Sequence, residues 1–243
     1  MTVGDAIVQT DIDIVTRKRG RANFATSADH AAERAILKGL AAHDKTIPVL
    51  TEESPRAELR NADRLWVVDP IDGTLNFSRG IPFYCVVIAY VEDGRARAAA
   101  IRAPRTNETF VAWEGGGATG NGSPLHVSKV RRLGDALAVA SLSYRAMRGA
   151  RPPMARLAAA CGGMRDVGSA ALGMAYVADG RFDIFAHQFL SPWDVAAPAL
   201  VAREAGARVL SLKTGEDAAW HEPAVVIANP TLAREAMKLL RRP

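Results

Sequence analysis

Cysteine is scarce in this 243-residue chain, with only Cys85 and Cys161, and aromatic residues make up 6% of it. Neither cysteine stands at a metal-ligand or redox spacing, which excludes a disulfide scaffold and a CxxC centre and reads as two buried thiols in a reducing compartment. Long apolar runs are also missing. The longest, Ile81 to Val91, has 11 residues, whereas a membrane-spanning helix needs about 20. The N-terminus carries Asp5, Asp11 and Asp13 in place of a basic and then apolar leader, so a cytoplasmic protein with no membrane contact is expected. Internal repeats and low-complexity linkers are absent as well. Charge of one sign is only mildly in excess: 31 Lys and Arg stand against 26 Asp and Glu, a net +5. That surplus is compatible with an anionic substrate, with RNA, or with solubility alone. With 49% apolar residues, a chain of this length buries a core without disulfide or metal staples, so any metal would be functional.

The pattern of what is present is mixed α and β. Residues Thr26 to His43 read as a helix: Thr26 and Asp29 fit a capping box, Ala32, Ile36 and Leu40 recur at helical spacing, and Glu33 and Lys38 are placed on a solvated face. Strand-like runs follow at Ile47–Leu50, Leu65–Val68, Phe83–Val91 and Arg95–Ile101. Turns at Glu92-Asp93-Gly94, Pro104–Asn107 and Gly115–Gly122 predict an antiparallel meander. Gly115-Gly116-Gly117 lacks the strand-to-helix setting of a nucleotide loop and reads as a hairpin turn. Beyond about residue 130, strands alternate with helices: strand Leu137–Ser141, helix Pro153–Ala160, helix Ser169–Ala178 capped by Ser169, strand Arg181–Ala186, helix Val195–Ala205 stopped by Gly206, strand Val225–Ala228, and a last helix with Asn229 as N-cap and Pro230 at its first position. A soft boundary near Ser128–Leu133 divides the chain into an N-terminal α+β part, 1–130, and a C-terminal α/β part, 131–243.

Acidic residues cluster at three places that surface charge explains poorly: Glu52-Glu53 after Ile47–Leu50, Asp69-Pro70-Ile71-Asp72-Gly73-Thr74 after Leu65-Trp66-Val67-Val68, and Asp194 ahead of an apolar helix. A carboxylate at a buried strand end has to be paired or to coordinate a cation. Three such ends converging on one point suit a hard cation with oxygen ligands, such as Mg²⁺. Pro70 fixes a bend that lets Asp69, Asp72 and the Ile71 carbonyl face one point. Gly73-Thr74 would then open a helix whose free N–H groups suit a phosphate.

Glu52-Glu53-Ser54, Trp66 to Phe77, Gly168-Ser169-Ala170-Ala171, and Trp193-Asp194-Val195-Ala196-Ala197 with Glu204-Ala205-Gly206 resemble the signature segments of the inositol monophosphatase family, from about Lys18 to the end of the chain. The resemblance implies a layered αβαβα sandwich, α+β to α/β in class, shared with fructose-1,6-bisphosphatase and bisphosphate nucleotidases. It implies two to three Mg²⁺ ions, with Glu52, Asp69 and the Ile71 carbonyl on one, Asp69, Asp72 and Asp194 on a second, and a weaker third near Glu52. Thr74 and Glu52, with Asp72, form the implied catalytic set. Thr74 and Glu52 orient and deprotonate a water that attacks phosphorus in line. The Gly73 and Thr74 amides hold phosphate oxygens, and Gly168, Ser169, Ala170 and His187 face the substrate alcohol. Lys18, Glu53 and Arg165 are further candidates. Lithium sensitivity and a homodimer are expected from the same likeness.

Bland alternatives stand beside these assignments. Glu53 is either a ligand or a hydrogen-bond partner of one; Asp194 and Gly168-Ser169 also fit helix caps. Arg17-Lys18-Arg19-Gly20-Arg21 is either a solvated loop or an anion-steering or RNA-contacting patch, and it lacks the aromatic interleaving of base-stacking surfaces. The chain also departs from the family pattern. The segment before Lys18 is short, Asn23 stands where Asp is common, and His187 stands seven residues before Asp194, where a glutamate is usual. A histidine there can donate as well as accept, can be cationic near neutral pH, and suits a second anionic group or a different polyol. The expectation is a Mg²⁺-dependent phosphomonoesterase for a small sugar or polyol phosphate, with nucleic acid not an expected partner. The alternatives are a phosphatase for histidinol phosphate, a nucleoside 3′,5′-bisphosphate or fructose-1,6-bisphosphate, and, in another class, a regulatory RNA- or transcription-associated binding protein.

Overall fold

A computed structural model describes residues 14–17, 24–140 and 153–241; Lys18, Asn23, the rest of the basic run to Arg21, and Ser141 lie outside them. Strands β1 (Ile14–Arg17) and β2 (Phe24–Thr26) pair antiparallel, and helix α1 runs from Ser27 to Asp44. The helix thus begins one residue later than the capping-box reading, with Thr26 still in β2. Strands β3 (Val49–Thr51), β4 (Arg64–Asp72), β5 (Cys85–Glu92), β6 (Arg95–Ala103), β7 (Glu108–Trp113), β8 (Gly117–Gly120) and β9 (Ser123–Pro124) form one seven-stranded sheet in chain order, with the short helix α2 (Thr74–Ser78) between β4 and β5. Only β3 and β4 are parallel; the rest is the expected meander.

The second half supplies strand β10 (Leu137–Ala140), helix α3 (Pro153–Ala160), strand β11 (Gly163–Arg165), helix α4 (Ala170–Ala178), strand β12 (Ile184–His187), helix α5 (Pro192–Glu204), strands β13 (Arg208–Ser211) and β14 (Val225–Ala228), and helix α6 (Pro230–Leu240). Its five-stranded sheet has the order β11-β10-β12-β14-β13. Caps set the helix ends as their chemistry dictates. Ser169 accepts from the Leu172 amide at the start of α4, and Asn229 accepts from Thr231 and Leu232 at the start of α6. Gly206, with φ 94°, turns the chain after α5.

Period-two alternation explains the layers. In β4 and β5, Val68, Val86 and Ile88 turn outward against Ala28, Ala32 and Ile36 of α1. Leu65, Val67, Val87 and Ala89 turn inward, into a core shared with α4, α5 and the inner face of the second sheet through Val139, Phe185 and Ile227. The outer face of that sheet packs on Met154 and Leu157 of α3 and Leu232 and Ala236 of α6. The order is therefore helix, sheet, helices, sheet, helices: the αβαβα sandwich. The strands separate near residue 130, but α4 and α5 join both sheets into one core.

Two readings of side chains are corrected. Glu33 is 6% exposed, not solvated, because it lies one turn after Asp29 on the side of α1 that packs inward, and among the described residues its Oε1 has no hydrogen-bond partner. Cys161 is only half-buried, whereas Cys85 is fully buried.

Candidate active site

The site is built where β4 stops being regular. Asp69 pairs with Val87 and Asp72 with Cys85, with a register break between them. Pro70 lacks the N–H that a ladder needs, so the strand bulges there. Asp69 Oδ1 accepts from the Ile71 amide at 3.0 Å, which tightens the bend, while the Ile71 side chain fills the core beneath α1. Gly73 follows with φ 96°, and a Cβ there would stand 3.1 Å from the Phe83 carbonyl and 3.2 Å from the Ser169 and Tyr84 Cβ atoms. Only glycine turns the chain into α2 at that point.

Carboxyl oxygens of Asp69, Asp72 and Asp194 lie within 4.8 Å of one another. Asp194 arrives from the other half of the chain, as the third residue of α5, where its Oδ2 accepts from the Ser191 amide at 2.7 Å. Ser191, not Asp194, is the N-cap; Asp194 completes the capping box and faces the cluster as well. Burial, then the neighbouring charges of Glu52, Asp72 and Asp194, and a hydrogen bond to Glu52, push the Asp69 carboxyl well above the usual carboxylate range. Burial also raises Asp72, opposed by the hydrogen bonds it accepts from Ser169 and the first amides of α4. Mutually repelling buried carboxylates with oxygen donors only are the donor set that fits Mg²⁺, whose charge would relieve the repulsion.

Thr74 opens α2 beside this cluster. Its Oγ1 is 3.1 Å from Asp29 Oδ1 and 3.1 Å from the Ile71 carbonyl, so its single proton is shared between a carboxylate and the peptide oxygen expected to ligate metal. The sequence suggests only a capping role for Asp29; its partnership with Thr74 spans 45 residues of chain. The signal available was the like-charged Asp29–Glu33 pair one turn apart beside the apolar stripe of α1, an arrangement that a merely structural helix avoids. Glu52 and Glu53 follow β3 and are half-buried; Glu52 reaches Asp69, but the three-carboxylate group of Asp69, Asp72 and Asp194 includes neither of them.

A cavity of about 300 Å³ adjoins the cluster, with Asp72, Asp166, Gly168, Ser169, Ala170, Phe185, His187, Phe189 and Asp194 in its wall. Gly168, at φ 73°, packs on the Asn76 amide, whose Nδ2 donates to Phe83 O at 2.7 Å and Val167 O at 2.8 Å, tying α2 to the loop before α4. His187 ends β12 and stacks on Phe185 with an interplanar angle of 10°. Its Nδ1 accepts from the Phe189 amide at 3.1 Å, and burial lowers its pKa to about 4, against a smaller opposing pull from Asp166. The ring is therefore neutral at neutral pH, so the cationic form open to a histidine is not the one favoured here, and with Nδ1 accepting, Nε2 carries the proton. Arg165 is exposed at the end of β11, and its Nη1 bonds the Met164 carbonyl. The Glu204 carboxylate of the last signature segment lies away from the site, where it accepts from the Gly115 and Gly117 amides, each at 2.9 Å, and fastens the β7–β8 hairpin to α5.

The fold is a layered α+β sandwich that gathers three carboxylates from both halves of the chain, a group that could hold a metal ion, beside a cavity. The sequence matches the model of the inositol monophosphatase family over residues 4–242. It is 33% identical over 229 residues to the fructose-1,6-bisphosphatase/inositol-1-monophosphatase of Thermotoga maritima, covering 94% of this chain and 87% of that one. It is 34% identical over 236 residues to the Nus factor SuhB of Escherichia coli K12, covering 96% and 88%. The crystal structure of the extragenic suppressor protein SuhB from Bartonella henselae superposes with a TM-score of 0.88 at 30% identity, covering 99% of this chain and 94% of that one. The chain belongs to the inositol monophosphatase family. Among the described residues, no helix is long and apolar enough to cross a membrane.

Proposed function

We propose that the protein is a Mg²⁺-dependent phosphomonoesterase acting on a small sugar or polyol phosphate. The observation that carries this reading is the meeting of Asp69, Asp72 and Asp194 within 4.8 Å of one another beside a substrate-sized cavity. Asp69, Asp72, Asp194, the Ile71 carbonyl and Glu52 would hold two to three Mg²⁺ ions, which when bound supply Lewis-acid polarisation of the phosphoryl group and a more acidic water. Thr74 does the local proton work. With its own proton directed to Asp29 Oδ1, the Thr74 oxygen offers a lone pair to a water beside it, orienting that water and taking part in its deprotonation together with Glu52. The Gly73 and Thr74 amides are the proposed contacts for phosphate oxygens.

Gly168, Ala170 and His187 line the cavity and are the proposed contacts for the leaving alcohol. The neutral His187 ring offers an Nε2–H to an acceptor oxygen, where a carboxylate would instead take hydroxyl protons. No lysine or arginine among the described residues lines the cavity, and a neutral His187 adds no charge for a second phosphate, so a monoester of a neutral polyol ranks above a bisphosphate. The second reading, a regulatory binding role, is favoured by the Nus factor name of a relative at 34% identity; the complete carboxylate cluster favours catalysis. Phosphate release from inositol, sugar, histidinol and nucleotide monoesters and from bisphosphates, with and without Mg²⁺, tests the proposal. Hydrolysis of a polyol monoester that requires Mg²⁺, and a shift toward inositol phosphate in His187→Glu, are expected. A folded protein inert toward every ester would overturn the enzymatic reading.

A further inference from the structure

Ser169 and Ala170 stand in the cavity wall, and the Ser169 hydroxyl and the first amides of α4 are directed at Asp72. Asp72 Oδ2 receives the Ser169 hydroxyl in a short hydrogen bond, the Ala171 amide at 2.8 Å, and the buried Cys85 thiol at 3.8 Å. Its Oδ1 receives the Ala170 amide at 3.3 Å. Ser169 is 3% exposed, its only proton is committed to Asp72, and its oxygen accepts from the Leu172 amide at 3.4 Å. A hydroxyl so engaged has no donor left for a substrate. The arrangement has a mechanical consequence, because Asp72 sits past a bulge at the end of β4, beyond Val68, the last residue of β4 that pairs with β3. Its orientation is set instead by donors from residues about 100 positions later in the chain. The close approach of Gly73 to the Ser169 Cβ keeps the two segments in contact.

We propose that Ser169 is a positioning residue: with the Ala170 and Ala171 amides it forms a cradle that orients the Asp72 carboxylate toward the metals, and it does not bind the substrate alcohol. The proposal rests on the metal assignment of the phosphatase reading and deepens it. Outer-shell partners of this kind change metal affinity by about 10- to 100-fold when removed.

The test is titration of Mg²⁺ by calorimetry without substrate, in wild type, Ser169→Ala and Ser169→Thr, each checked for folding by thermal melt. Ser169→Ala is expected to weaken Mg²⁺ binding by about 10-fold or more, and Ser169→Thr, which keeps the hydroxyl, to restore it to within about threefold. In turnover, Ser169→Ala is expected to lower kcat by a similar factor for two esters with unlike alcohols, leaving KM for both unchanged. Wild-type Mg²⁺ affinity in Ser169→Ala, or a KM increase confined to one ester, would overturn the proposal, as would a wild type that binds no Mg²⁺. If Ser169→Ala loses its fold, Ser169→Cys, of similar shape and with a weaker donor, takes its place under the same criteria. Because the titration needs no turnover, a protein that binds Mg²⁺ through this cradle yet hydrolyses nothing would lose the phosphatase reading and keep this one.

Discussion

Replacing Asp69 by Asn should stabilise the metal-free protein while removing its response to Mg²⁺. Asp69 is 1% exposed and shares a space of 4.8 Å with the Asp72 and Asp194 carboxyls. Two unit charges at that separation repel by about 3 kcal/mol at an effective dielectric of about 20. Protonation of the raised Asp69 caps this cost, so we expect a net gain of about 2 kcal/mol in Asp69→Asn near pH 8, and hence about 4–8 °C in Tm for a chain of this size. The amide keeps the oxygen that accepts from Ile71 and offers its N–H groups to the neighbouring carboxylates. The sign of the pH dependence follows from the upward shift. The folded wild type holds the Asp69 proton more tightly than the unfolded chain does. This contribution to stability is fully present below the ordinary carboxylate pKa and is lost as pH rises through the raised folded value. The advantage of Asp69→Asn should therefore shrink as pH falls toward 4, the ordinary carboxylate range. Differential scanning melts with and without Mg²⁺ are the assay. At a concentration about 100 times its dissociation constant, Mg²⁺ should stabilise the wild type by about 2.7 kcal/mol and the variant by much less. A metal-free Asp69→Asn less stable than wild type at pH 8, or one stabilised by Mg²⁺ to the same degree, would refute the reasoning.

Three more outcomes follow from the same geometry. Thr74→Ala should lower kcat by about 10²- to 10⁴-fold with Mg²⁺ binding intact, and Thr74→Ser should recover most of it; equal loss in both would show that the hydroxyl is not what matters. His187→Gln should flatten the acid limb of the stability profile: with a folded pKa of about 4 against an ordinary 6.5, the wild type loses up to about 3 kcal/mol as pH falls from 6.5 to 4, and urea unfolding at several pH values measures the difference. Asn76→Ala removes two hydrogen bonds that tie α2 to the loop before α4 and should cost about 2–3 kcal/mol in the same assay, with a smaller loss meaning that water replaces the amide.

Much of this molecule was legible in its residues. The helices with strong caps or a clean stripe, α1, α3 and α6, and the β5–β6 hairpin with its Asp93-Gly94 turn, fall close to their expected positions because local chemistry decides them. Strands β11 and β13 were missed, since three or four residues carry too little period to stand out. Strand β4 runs past Val68 through Pro70 to Asp72, where proline normally ends pairing, and only a bulge makes that extension tolerable. At the site, the carboxylates were readable because charge beside apolar strands is costly. Their outer partners were not. The Asp29–Thr74 contact and the Ser169–Asp72 contact join residues 45 and 97 positions apart, and no spacing rule links them. The charge state of His187 is likewise a tertiary property, set by burial of a ring stacked on Phe185, against a smaller pull from Asp166.

In the proposed reaction the carboxylates of Asp69, Asp72 and Asp194 hold Mg²⁺ for phosphate-ester hydrolysis. Phosphate release from a polyol monoester, measured across Mg²⁺ concentrations for wild type and Asp194→Asn with folding confirmed in both, tests it most directly. Release is expected to rise from near zero with added Mg²⁺ in the wild type and to stay at background in the variant. Equal release by both proteins, or release independent of Mg²⁺, would contradict it.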